Sequence, residues 1–265
     1  MKTSKYFHYA RAIWSAAIMA FLQNVFDLFI VFTVLVQPLI IASLALWMVQ
    51  DRASEAIVFI VVGSGMTGLW SSLLYISGNS ITWERWTGTL EMIAGTPTPM
   101  SVVVFGKNLA HVSQSLGSMI VAYLLVALIF GYEVHISRPF LFFVSLGLTV
   151  IAFVCFGLIM SPLFLLNPGV QRWQNALEYP IYILSGFLFP IALLPGWTTP
   201  LSYLLAPYWA ARALHGSSSG AATTAEILFS LAMLLVFSSL YLLIAARLFR
   251  IMMRKVREEA TLGLQ

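Results

Sequence analysis

The chain has 265 residues, of which 60% are hydrophobic and only 9% charged, and its mean hydropathy is +0.90. A soluble domain carries roughly a quarter charged residues, so this composition excludes a water-solvated globule and points to a bilayer. The net charge of +4 and pI near 9.3 suit a nucleic-acid binder only if the basic residues cluster, and the single cysteine, Cys155, excludes an internal disulfide or a cysteine-rich metal site.

In chain order, Lys5–Leu22 is amphipathic. At helical spacing Lys5, His8, Arg11 and Ser15 share one arc, and Phe7, Ile13, Trp14, Ile18 and Phe21 cover the rest. This predicts an interfacial helix lying on the membrane, ended by Gln23-Asn24 and Asp27. Its apolar run is too long, and lacks the small-residue site, for a cleavable signal peptide. Six segments then offer the ~20 apolar residues that a membrane helix needs. They are Val25–Val49, Ala56–Ile76, Met100–Phe130, Phe140–Leu166, Asn175–Leu194 and Thr224–Leu248. They follow one another without a domain-sized gap, so residues 1–265 form a single membrane domain.

The loops set the orientation. With both termini inside, the inner segments hold Lys2, Lys5, Arg11, Arg85, Lys107, Arg172, Arg247, Arg250, Arg254, Lys255 and Arg257. The outer loops hold only Arg52, Arg138 and Arg212. This bias places both termini in the cytoplasm and makes the basic C-terminal tail an anchor at anionic lipid.

Span two carries Ser64, Gly68 and Ser72 every four residues, a small-residue stripe that predicts close helix packing within the subunit. It leads into a polar island, Thr82–Lys107, with Glu84, Arg85, Glu91 and Lys107. Trp83 and Trp86 suit the headgroup layer. Gly88 and Gly95 bracket a helix-length piece, and Thr98-Pro99 reads as the start of span three. An exposed short helix in a chain this poor in charge predicts a docking surface at residues 82–98.

Between spans five and six, residues 189–220 are too apolar for a solvated loop and are broken by Pro190, Pro195, Pro200 and Pro207. Two short re-entrant helices in the outer leaflet are expected there.

The sequence has no GxxxxGK[ST] and no HExxH, and its four histidines, His8, His111, His135 and His215, are scattered. Asp27 and Glu178 are the acids near helix interiors, and both are read as lying toward the cytoplasmic ends, as packing or interface residues. That placement weighs against a proton relay, which would want acids at mid-depth.

Together these features resemble the permease subunit of ABC-2 type transporters, over nearly the whole chain. Glu84-Arg85, Gly88-Thr89-Leu90-Glu91, Thr96-Pro97 and Gly106-Lys107 look like the family's ER, GTLE, TP and GK pattern after span two. Pro190, Leu194-Pro195-Gly196-Trp197 and Pro207 are similar to its outer re-entrant segment, and Gln37-Pro38 matches a feature of its first span. Trp86-Thr87 departs from the more polar residues that many members carry there.

The resemblance implies an all-α membrane protein of a bacterial inner membrane. It would have six transmembrane helices, a connecting helix at 5–22, a cytoplasmic coupling helix within 82–98 and outer re-entrant helices at 189–220. It also implies pairing with a second permease, identical or different, and docking on a cytoplasmic ATPase subunit that binds ATP and Mg, with no catalytic residue or cofactor in this chain. The expected docking residues are Glu84, Arg85, Thr87, Gly88, Thr89, Leu90, Glu91 and Met92. The substrate of such an exporter would be hydrophobic or amphipathic, a drug, peptide, lipid or glycolipid, because the span walls offer few charges. A self-contained carrier or channel, and a membrane enzyme, are the competing classes. The first wants repeats or mid-span charges and the second a polar cluster at one interface.

Overall fold

A computed structural model describes residues 2–32, 36–48, 54–129 and 135–262. The described residues are helical throughout, with no strand. Arg52, the inner stretch of the first expected span at 33–35, and the ends of two spans at Val49 and Phe130 lie outside them.

The chain opens with α1 (Lys2–Val25), which lies along the later helix α7. The two approach closely where Gly106 of α7 faces the Ile13 carbonyl, 2.5 Å from where a Cβ would stand. Asp27 ends α1 and caps the short helix α2 (Leu28–Val31), accepting from the amides of Phe29 at 2.9 Å and Ile30 at 3.2 Å. Next comes α3 (Gln37–Met48). The fold's centre is α4 (Ser54–Ser71), which runs through a wide π-helical turn (Ser72–Ser77) into α5 (Gly78–Trp86). From Ile57 to Trp86 this is one 30-residue rod, 94% buried over its apolar window, so the second expected span reaches well into the polar island. Its small-residue stripe packs inside the subunit, as expected: Ser64, Gly68 and Ser72 are all buried.

After α6 (Leu90–Ala94) come α7 (Met100–Ile129) and α8 (Pro139–Leu166), both packed on the central rod. Cys155 of α8 is buried and unpaired. The expected fifth span is not one helix. It is a turn, α9 (Pro168–Gln171), and then α10 (Gln174–Leu184), whose 11 residues extend only ~16 Å. Gly186, at φ +70, reverses the chain at a left-handed position that other residues resist. Short 3-10 turns then lead to α11 (Thr199–Tyr203) and α12 (Ala206–Ser219). Almost every side chain of α12 is buried, against α4, α8 and α13. The prolines fragment this stretch because each removes a backbone donor.

The last helix, α13 (Thr224–Leu262), packs on α8 and α12 but leaves most of its apolar window uncovered, with 28% buried. Among the described residues, three helices are long and apolar enough to cross a membrane: Ile57–Trp86, Pro139–Leu166 and Thr224–Glu258.

Candidate functional site

Two polar regions sit on the central rod, one at its midpoint and one at its Trp86 end.

At the midpoint the π-helical turn opens the backbone ladder, a distortion that recurs at functional sites. Side chains from neighbouring helices take up the exposed carbonyls. Gln174 donates to the Leu74 carbonyl at 2.8 Å and Ser161 to that of Ser77 at 2.6 Å. Glu178 of α10 sits against this turn, 3% exposed. Its Oε1 accepts from Ser71 at 2.6 Å and from Tyr182 at 2.7 Å, and its Oε2 from Tyr75 at 2.7 Å. Gln37 at the start of α3 lies 3.5 Å away, and Ser71 and Tyr182 also touch. Among the described residues no cation faces this carboxylate. Ser71 is halfway along the 30-residue rod, about 22 Å from either end. The short α10 thus seats Glu178 against the middle of the rod.

At the Trp86 end, α5 stops at Thr87 and the chain turns through Gly88, at φ +72, into α6. Thr89 holds the turn. Its amide donates to the Glu84 carbonyl at 2.9 Å and its hydroxyl to the Glu84 carboxylate. The same carboxylate pairs with Lys107 of α7. Thr87 donates to the Trp83 carbonyl at 3.1 Å and lies 2.9 Å from the Thr89 hydroxyl. Leu90 is buried among Met100, Val104, Phe249 and Met252. Arg85, Thr87, Gly88, Glu91 and Met92 are exposed, Met92 at 75%.

The eight expected docking residues therefore divide. Glu84, Thr89 and Leu90 hold the loop to its own subunit, while Arg85, Thr87, Gly88, Glu91 and Met92 face outward. Beneath the loop an apolar cleft of about 690 Å3 separates Pro97 and Pro99 from Leu242, Phe249 and Arg250 of α13.

A second cavity, of about 410 Å3, joins the two regions. It runs along α5 from Trp86 and Trp83 to Tyr75, walled by Asn24 and Asp27 before α2 and by Lys107 and His111 of α7. The Nδ1 of His111 accepts from the Asn24 amide at 2.7 Å, and that amide also donates to Gln114 at 2.9 Å. Nε2 consequently carries the ring proton, and it has no partner among the described residues. His111 is thus hydrogen-bonded on one side only. Sequence periodicity could not reveal this cavity, since its walls come from four separate segments. No cluster of His, Cys, Asp or Glu suited to a metal is found among the described residues.

Among the described residues, a helical fold with three helices long and apolar enough to cross a membrane fits a polytopic membrane protein. The chain belongs to the ABC-2 type transporter family, whose model matches residues 8–218. Comparison with curated proteins finds no match.

Proposed function

We propose that this chain is the permease subunit of an ATP-binding cassette exporter in a bacterial inner membrane, with both termini cytoplasmic. It pairs with a second permease and moves a hydrophobic or amphipathic substrate by alternating access, driven by separate ATPase subunits that bind ATP and Mg. Family membership supports this reading, and one observation carries it: a short helix at the Trp86 end is braced from below yet leaves Glu91 and Met92 exposed. A braced element can transmit a push, and coupling needs an element whose contacts differ between two states. α6 is the coupling helix, the ATPase grips its Glu91–Met92 face, and the Lys107–Glu84–Thr89 chain carries the push to α7.

The test is a cysteine at Met92, with Cys155→Ser removing the native thiol, treated with a short bifunctional crosslinker in native membranes. The product expected is a permease–ATPase conjugate that ATP with vanadate alters. A Met92 cysteine that is reactive yet never joins an ATP-binding protein counts against the assignment.

A second reading, a self-contained carrier, draws support from Glu178, since a buried carboxylate between helices of a membrane protein suits ion coupling. It requires transport in liposomes that persists without ATP and follows an ion gradient.

A further inference from the structure

We infer that the 410 Å3 cavity between α1, α2, α5 and α7 is the intake chamber for an organic cation with an aromatic or apolar body. The inference rests on the permease reading and names the substrate class that it leaves open.

The size is that of a small-molecule site. The walls fit a flat apolar body. Trp83 and Trp86 lie one turn apart on α5 with ring centres at 5.9 Å, and Phe29 meets Tyr75 edge-on at 6.4 Å. Faces of Trp and Tyr attract cations as well as apolar surface.

The charges choose the sign. Lys107 is the basic residue in the wall, and Glu84 neutralises it. Asp27 has no such partner. Its Oδ1 accepts the two amides of α2, and its Oδ2 accepts nothing among the described residues. Behind Tyr75, whose hydroxyl donates to Glu178, stands a second carboxylate with no cation beside it. One acid on the wall and another behind it leave the chamber net negative, and a low-dielectric surround strengthens the pull on a cation.

His111 closes the inner wall of the chamber, 3% exposed and hydrogen-bonded to Asn24. The chamber thus fits a cationic amphiphile. Because Lys107 both lines the chamber and holds Glu84 of the coupling loop, occupancy and the loop share one residue.

The test uses the full-length chain in lipid nanodiscs without ATP. Ethidium, a planar aromatic cation, is titrated by fluorescence, with anionic fluorescein as the size-matched control. Saturable ethidium binding that fluorescein does not displace is expected. Asp27→Asn keeps the helix cap, since Asn caps as well as Asp, and should raise the ethidium Kd by about tenfold or more, the effect of a lost charge partner in a partly buried site. Trp83→Ala should raise it by about threefold or more through loss of a stacking face. Absence of saturable ethidium binding, equal affinity for fluorescein, or an unchanged Kd in Asp27→Asn overturns the inference. Retention of an ATPase subunit, scored on the same membranes, tests the permease reading separately. A retained subunit with no cation selectivity sinks only the chamber, whereas cation binding by a chain that has no ATPase partner sinks only the exporter.

Discussion

Glu178 and Glu91 are carboxylates of one chain that the fold treats in opposite ways. Glu178 is 3% exposed and accepts from Ser71, Tyr75 and Tyr182 of two helices, so its bonding capacity is used inside the subunit. Glu91 stands exposed on the five-residue α6. The difference separates a carboxylate whose hydrogen bonds are made inside the subunit from one left exposed, which under the proposed function is where the partner docks. Glu84 lies between these extremes: seven residues before Glu91, it is turned inward on Lys107 and Thr89. Charge in a polar island is therefore no guide by itself to docking, since one acid builds the platform and the next is presented on it.

The largest expected effect lies in the buried region. Glu178→Ala removes the buried acceptor that Ser71, Tyr75 and Tyr182 share and should cost about 3 kcal/mol, by the usual penalty for breaking a buried polar cluster. Glu178→Gln, which keeps the shape, should lose less. Thermal unfolding in mild detergent reads both, and equal melting temperatures for wild type and Glu178→Ala would show that the cluster holds nothing together.

Next comes the close contact that seats the turn after α10 on the rod. A Cβ on Gly63 would stand 1.8 Å from the Phe187 carbonyl oxygen, which is backbone and cannot swing away. Gly63→Ala should therefore destabilise by about 2 kcal/mol. Gly117→Ala, with nothing within 4 Å of its Cβ, should be neutral or slightly stabilising. If the two variants melted alike, the turn at Phe187 would not pack there.

A smaller effect is expected at the brace. Glu84→Gln weakens the link to Lys107 and should speed amide exchange across Leu90–Ala94 by about tenfold, with little change at the rod. Uniform exchange changes across both regions would erase the contrast. Least visible in stability is Glu91→Lys, which should stay within about 0.5 kcal/mol of wild type while weakening the ATPase partner's grip.

Much of this contrast was open to sequence reasoning, and part was not. The apolar runs and the proline-broken stretch foretold helices and fragments, because hydropathy and missing donors act locally. Gly88 and Gly95 framed α6 to within a residue. The packing of Glu178 was hidden, since Asn175–Leu194 has span-like hydropathy, and only tertiary structure shows that the helix ends at Leu184 and sets Glu178 against Ser71 and Tyr75. The inward turn of Glu84 was equally hidden. It depends on Lys107, placed there by α7, and nothing in the sequence distinguishes Glu84 from Glu91 as the brace.

The most direct test of the central claim is purification of the tagged chain from its native membranes in mild detergent, with mass spectrometry of what accompanies it. The account predicts a stoichiometric ATP-binding subunit that is retained by wild type and lost on Glu91→Lys, with the variant still folded. A chain that purifies alone in every mild detergent and moves solute in liposomes without ATP would contradict it.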